Sequence, residues 1–286
     1  MLTKVTITID CAEATGRKLL VPTGMTTPYQ MPDSFKINGG QTAIVYEAMT
    51  GQAAALITPT DETITLHYQA SDRRGAYPES MFMHRPNRFT RAAEALVRDA
   101  RQIADAAPDG HSAIQAIARD TAARFTYGHP ETRYYEGADE IPHLGCGLTE
   151  GSCVDINAYL IATLRAAGFA AGYVYGYFFP EDKGGHANDG HCWVVTRHEG
   201  VTLEWDIAHH LKLGTREICC GLNPKPGHRI ALAHSMGHTY ATLGISDMKL
   251  LGEALWIDGK GGYDFAAITI FGEREETSKN APSRAA

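Results

Sequence analysis

Three residues have the types and spacing for thiol chemistry: Cys153, His191 and Asp206. A cysteine nucleophile needs a base near its sulfur, and the base needs a third group to fix its tautomer and stabilise the imidazolium. His191 opens the strand-like run His191-Cys-Trp-Val-Val-Thr196, and Asp206 closes Val201-Thr-Leu-Glu-Trp-Asp206. A turn at residues 198–200 makes the two runs an antiparallel hairpin. His191 and Asp206 then fall at its open end, nearly opposite and within side-chain reach. Neither residue is special alone; their joint placement is the evidence.

Cys153 begins the helix that has to present it. Ser152, followed three residues later by Asp155, is a capping-box-like start with Asp in place of the usual Glu or Gln. Ile156, Leu160, Ile161 and Leu164 recur at helical spacing, and Gly168 sits where a C-terminal cap is expected. Cys153 therefore falls on the first turn, where backbone N–H groups and the helix dipole favour a thiolate. Position alone leaves a second reading open, a small side chain packed at a helix start.

Around these elements the chain changes character. Residues 1 to about 80 read mainly as strands: Val5-Ile7-Ile9 and Ile64-Leu66 alternate with polar residues, and Ala43–Tyr46 and Ala53–Ile57 are short apolar runs. Gly, Pro and Asp clusters punctuate them. The expectation is a small N-terminal β-domain over 1–85 that carries no chemistry. Ala92–Ala106 and Ser112–Phe125 then fit two helices, and an irregular segment with Tyr134, Tyr135, His143 and Cys146 leads to Glu150. After Gly168 the aromatic run Ala171–Phe179 is a strand that ends at Pro180, and a Gly-rich loop runs to Gly190. One helix feeding three successive strands favours α+β over alternating βαβ units. Beyond Asp206 the signal weakens until a closing strand at Ile268–Phe271. The expected division is 1–85, a catalytic domain over 86–272, and a polar tail over 273–286.

Composition excludes several classes. The chain has 286 residues, a formal net charge of −7 and no Lys/Arg cluster to track phosphates, so a nucleic-acid partner is not expected. The N-terminus alternates as a strand does and lacks the apolar block of a signal peptide, and no apolar run approaches membrane-spanning length. The expectation is a soluble, cytoplasmic protein with no membrane partner. Its six cysteines are then read as free thiols, and the Cys219-Cys220 pair receives no role. No cysteine–histidine pattern has zinc spacing. His186, Asp189 and His191 form a minority metal reading without a convincing further ligand. His209 and His210 directly follow Asp206 and are read as surface residues, with a place near the site as the alternative, and His234 with His238 as a solvated or satisfied pair.

The order Gly-x-Cys-x-Asp, Leu-Arg-Ala-Ala-Gly-Phe, His-x-Trp and Trp-Asp resembles the transglutaminase-like superfamily, and more closely its bacterial cysteine-protease-like members. The resemblance covers residues 86 to about 225. It implies a papain-like α+β core, with the Cys helix packed on an antiparallel sheet. It also implies Cys153 as nucleophile, His191 as base and acid, and Asp206 as the orienting group. Acyl transfer through a thioester follows, with the Cys153 N–H as first oxyanion donor. The second donor is sought among Tyr134, Tyr135 and His143. Ser152, Asp155 and Trp193 are read as structural residues near the site. No cofactor or metal is implied. This chain departs from the family in having Ile207-Ala208 after the acid and Cys192 where Ala is common. Strand alternation turns Cys192 away from the His191 side, so it is read as packing. The implied substrate is a peptide, protein or small amide or ester, with peptidase or amidase action first. A biosynthetic acyltransferase or cyclase is the alternative, and a non-catalytic binding module the reading from a different class.

Overall fold

A computed structural model describes residues 1–276 except Glu13, Thr15, His84, Cys146 and Asn223. Alternation dictates the N-terminal strands. In Leu2–Asp10, Val5, Ile7 and Ile9 are buried while Thr8 and Asp10 face solvent, and in Thr63–Ser71 the residues Ile64, Leu66, Tyr68 and Ala70 turn inward. These two strands lie in a five-stranded sheet ordered 186–187, 268–275, 2–10, 63–71, 31–38. A second five-stranded sheet is ordered 263–265, 255–257, 18–22, 53–59, 40–46. Ile7 and Leu66 of the first meet Val21 and Ile57 of the second in one apolar core, which makes the pair a sandwich.

The sandwich redraws the expected domain division. Ile268–Glu275 pairs antiparallel with the first strand from Leu2↔Glu275 to Ile9↔Ile268, and Leu255–Ile257 pairs with Lys18–Leu20. Both ends of the chain therefore build the β-unit, and 255–272 does not belong with the helices as the 86–272 division supposed. Alternation says which residues of a strand face inward; it does not say which sheet edge the strand joins. Residues 273–275, assigned to a polar tail, complete that closing strand; residues 277–286 of the tail lie outside the described residues.

The second unit holds the helix that starts at Cys153. Helix α1 (Glu94–Asp105), helix α2 (Gly110–Arg124) and helix α3 (Cys153–Ala166) pack on an antiparallel sheet ordered 201–205, 191–198, 170–180, 227–234. Asp109 caps α2 by accepting from the Ser112 N–H at 2.9 Å. From Asp155 to Leu164 every residue of α3 is buried, so this helix runs through the core. It ends as its sequence predicts, with Gly168 at φ +89° just past the C-cap.

Ala170–Pro180 is buried on both faces and ties the two units together. Tyr173 and Tyr175 pack toward α3, Val174 packs with Trp193 and Val195 on the reverse face, and Tyr177 and Phe179 enter the sandwich core. Where the sequence signal faded after Asp206, the chain forms a short helix α4 (Ile207–Lys212). No helix among the described residues is long and apolar enough to cross a membrane.

Candidate active site

Helix α3 fixes the cysteine. The Asp155 carboxylate accepts from the Ser152 backbone N–H at 2.9 Å and from its hydroxyl at 2.7 Å, closing the capping turn immediately before Cys153. The other carboxylate oxygen takes the Tyr135 hydroxyl at 2.8 Å and the Arg133 guanidinium. Asp155 is fully buried; burial alone would raise its pKa, but the Ser152 hydroxyl and the Arg133 charge hold it below the usual carboxylate range. This network holds the loop into α3 at a set angle, so Cys153 starts the helix in one position.

The hairpin brings His191 and Asp206 together. Val194 pairs with Trp205 and His198 with Val201, so Asp206 leaves the end of its strand diagonally across from His191. His191 Nε2 lies 3.0 Å from Asp206 Oδ2, and the ring makes a side-chain hydrogen bond with the Cys153 thiol. The His191 ring thus interacts with the Asp206 carboxylate on one side and with the Cys153 thiol on the other, and all three residues are buried. Two glycines permit it. Gly176 pairs with His191, and a Cβ there would meet the Ile230 carbonyl at 1.8 Å; a Cβ on Gly190 would meet the Tyr175 hydroxyl at 1.5 Å.

Charge is arranged around Asp206. Besides His191, its Oδ2 faces His209 Nδ1 at 2.9 Å and accepts from the Arg229 guanidinium, while Oδ1 caps α4 through the His209 N–H at 3.1 Å. Burial opposes ionisation, yet the His191 and Arg229 charges hold this carboxyl well below its usual range. His209 stacks on His191 with ring centroids 4.0 Å apart and planes 5° apart. The two imidazoles are driven in opposite directions. Burial lowers His191, but the Asp206 charge and hydrogen bond outweigh it and the net shift is upward. His209 is pushed down to about 4, by burial first and then by the neighbouring His191 and Arg229 charges. Stacked rings disfavour a proton on both, and the opposite directions of the two shifts favour it on His191. The Cys153 thiol is held well below its ordinary value, chiefly by a hydrogen bond from Cys192; burial opposes this, and His191 and Lys212 add to it.

His191, Asp206 and His209 offer ligand atoms within 4.8 Å of one another, the one such group of three among the described residues. All three converge where Arg229 already supplies a cation, which suits a neutralised carboxylate better than an open ligand set. His186 turns to Phe271 instead of joining His191, so the 186–189–191 reading does not form.

The structure does not bring the three oxyanion candidates to the sulfur. The Tyr134 hydroxyl donates to the Asp155 backbone carbonyl at 3.1 Å, and Tyr135 donates to the Asp155 carboxylate. His143 lies 3.4 Å from Asp99 in the Arg124 cluster beside α1 and α2. Their polar atoms brace helices. Trp193 is buried beside the site, with its ring 6.3 Å from His191 and Arg229 over its face at 5.1 Å. His209 and His210, read as surface residues, are both buried, because α4 folds back over the hairpin. Sequence reasoning gave Arg229 no role, and preferred surface and packing readings for His209 and Cys192. The Tyr127 hydroxyl, 3.1 Å from His129, is raised well above its ordinary value by burial and then by the charges of Cys153 and Asp189. Arg229 lies on a separate strand, and no local signal marks it.

The thiol opens into a cleft of about 310 Å³ whose lining includes Tyr175, Asp189, Lys249, Glu253 and Phe265. Glu253 accepts from the Tyr175 hydroxyl at 2.8 Å and the Gly190 N–H at 3.0 Å, pinning the residue before His191. Of the aromatic strand, Tyr175 borders this cleft and Phe178 borders the hollow beside His191 and His209.

The arrangement defines a class. Residues 98–205, from α1 to the last residue before Asp206, match the profile of the transglutaminase-like superfamily. Among solved structures, a candidate cysteine protease from Cytophaga hutchinsonii shares the fold with a TM-score of 0.56 at 13% identity, over 97% of this chain and 92% of that one. The periplasmic domain of TgpA from Pseudomonas aeruginosa aligns at 17% identity over 72% of this chain and 74% of that one, with a TM-score of 0.36. No sequence match to a curated protein was found.

Two predictions arise here. Arg229→Met removes one of the cations facing the buried Asp206, so stability falls by about 3–5 kcal/mol and Asp206 binds a proton more readily. Chemical denaturation at pH 7 and pH 5 measures this, and a loss under 1 kcal/mol at both would remove Arg229 from the network. The second concerns acid. His209, His234 and His238 are buried and each is pushed down to about 4, burial being the first cause; of the solvated or satisfied alternatives for the last two, burial removes the solvated one. The unfolded chain protonates them near 6.5 and the fold does not, so stability is lost as pH falls from about 6.5 toward 4. The slope is roughly 1.4 kcal/mol per pH unit for each such histidine. His191, raised in the fold, acts in the opposite sense: its contribution is complete below the unfolded value and lost as pH rises through the folded one. Urea unfolding midpoints across pH 4–7 test the sum, and a flat profile would contradict it.

Proposed function

We propose that the protein is a thiol-dependent acyl-transfer enzyme acting on amide or ester substrates, with hydrolysis of peptide-like amides as its first activity. The observation that carries the reading is the His191 ring, 3.0 Å from the buried Asp206 carboxylate and interacting with the Cys153 thiol. In this reading the Cys153 thiolate attacks the acyl carbonyl presented from the 310 Å³ cleft. Negative charge develops on the carbonyl oxygen beside the first turn of α3, where the Cys153 N–H has no partner in the helix ladder. His191 gives its proton to the leaving amine, and a thioester remains on Cys153. His191, now neutral, draws a proton from water, which attacks the thioester and releases the acid. Asp206 keeps the imidazolium favourable in the first step and fixes ring orientation throughout. The match of residues 98–205 to the superfamily profile supports the thiol chemistry, and the Cytophaga hutchinsonii protein supports the architecture around it.

The test is a panel of N-acyl peptide p-nitroanilides incubated with and without a fluorescent primary amine. Chromophore release with an acyl adduct on Cys153, and no amine incorporation, is the expected result. Incorporation would assign transfer instead. Absence of any adduct on Cys153 by intact mass across the panel would remove the enzymatic reading.

A further inference from the structure

His191 and Cys192 are neighbours in one strand and project to opposite faces. His191 lies on the face of Trp193, whereas Cys192, with Val194, turns into the core that α3 occupies. The face it reaches is the one that carries the nucleophile. On α3, Asn157 lies one turn beyond Cys153 on the same side of the helix. The Asn157 amide donates to the Cys192 carbonyl at 3.0 Å and to its sulfur at 3.3 Å. Cys192 is thereby clamped beside the first turn of α3, in the same buried cluster as Cys153, and the two thiols interact. The two differ in access. Cys153 is 7% exposed on the wall of its cleft, while Cys192 is 0% exposed. A small oxidant reaches one sulfur and not the other.

We propose that Cys192 is a resolving thiol, so that a peroxide oxidises Cys153 and the product is captured as a Cys153–Cys192 disulfide. The inference rests on the reading of Cys153 as the accessible thiolate of the site. In the first step the Cys153 sulfur attacks a peroxide oxygen and the O–O bond breaks. The sulfur becomes a sulfenic acid, and hydroxide (or alkoxide, from an organic hydroperoxide) leaves and takes a proton. In the second step the Cys192 sulfur attacks Cys153 Sγ, the S–O bond breaks, and hydroxide leaves with the Cys192 proton as water. Two thiols and one hydrogen peroxide give one disulfide and two waters. The product has no free nucleophile, yet a dithiol restores it, whereas an unresolved sulfenic acid proceeds to irreversible sulfinic acid. An alanine at position 192 offers no such protection.

The experiment exposes the full-length protein to hydrogen peroxide, then maps peptides by mass spectrometry before and after dithiothreitol. The expected result is a linked Cys153–Cys192 peptide, 2 Da lighter than its two reduced components, which dithiothreitol separates with recovery of Cys153 alkylation. Under the same exposure Cys192→Ala should carry sulfinic acid at Cys153, 32 Da heavier, with most of the alkylation not recovered. Cys153→Ser should give no linked peptide. Oxidation of Cys153 to sulfinic acid in the wild type without the linked peptide would overturn the proposal. So would equal recovery in wild type and Cys192→Ala, or a Cys153 that peroxide leaves untouched. Because the readout needs no substrate, a linked peptide in a protein that turns over no acyl substrate would sink the proposed function and leave this pair standing.

Discussion

Cys153→Ala should abolish turnover of any acyl substrate while leaving the fold in place. Alanine is smaller than cysteine and suits a helix, so the first turn of α3 keeps its Ser152–Asp155 network. Denaturant stability should change by no more than about 1–2 kcal/mol, the order expected for removing one small buried group. Activity is different in kind, because removing the nucleophile removes the covalent route. The loss should be on the order of 10⁵–10⁶-fold, the scale seen when a catalytic nucleophile that acts with its base as a unit is deleted. The pH dependence gives an independent check. The Cys153 thiol is held down, by the Cys192 hydrogen bond first and then by His191, so it remains a thiolate at pH values where ordinary thiols, near 8.5, are protonated. Iodoacetamide at pH 6 should therefore modify Cys153 ahead of the other cysteines, and Cys153→Ala should lose that fast phase alone. The acid limb of kcat/KM should follow Cys153, and the alkaline limb should follow His191, raised by Asp206. If Cys153 is alkylated no faster than the other thiols at pH 6, the nucleophile assignment fails.

Asp206→Asn is expected to be the next most damaging change, and it isolates charge from shape. Asparagine caps a helix about as well as aspartate, so the bond from the His209 N–H that starts α4 survives. What disappears is the negative charge that His191, His209 and Arg229 all face. Removing one partner from such a buried cluster costs about 3–5 kcal/mol. His191 then loses the interaction that outweighed its burial, its proton affinity drops, and the thiolate loses its imidazolium partner. Turnover should fall on the order of 10³–10⁴-fold, the cost when a triad acid becomes its amide. Fast alkylation at pH 6 should slow in parallel. The pH profile of stability carries the same signature. The Asp206 carboxyl is depressed in the fold, so its contribution is present above its unfolded value near 3.9 and is lost as pH falls through the folded value. The variant should lack that acid-side loss. Turnover and pH 6 alkylation within tenfold of wild type would show that Asp206 serves α4 and not the thiol.

Much of this protein is legible without coordinates. Helix α3 announces itself through Ser152 and Asp155 at its start, four apolar residues at its period and Gly168 at its end, because caps and periodicity are local. The hairpin is equally plain, and the turn at 198–200 sets the register that brings His191 and Asp206 within 3.0 Å. Burial of Val5, Ile7 and Ile9 follows from their alternation. The α+β class and the chain order of the three chemical residues therefore belong to the sequence.

What the sequence leaves open are relations between segments far apart along the chain. Arg229 reaches Asp206 only because the strand Gly227–His234 pairs with the far edge of Ala170–Pro180, and nothing near residue 229 encodes that edge. Ile268–Glu275 closes the sheet begun at Leu2 for the same reason: inward-facing periodicity fixes a face and leaves the hydrogen-bonding partner to tertiary packing. Chain proximity puts Tyr134 and Tyr135 near the thiol, but the Tyr134 hydroxyl donates to the Asp155 backbone carbonyl and the Tyr135 hydroxyl to the Asp155 carboxylate, since buried acceptors need donors. Cys192 shows the division most clearly. Alternation correctly turns it from the His191 face, and only the packing of α3 decides that the opposite face holds Cys153. Local periodicity chooses the direction a side chain points; the three-dimensional fold decides what it meets there.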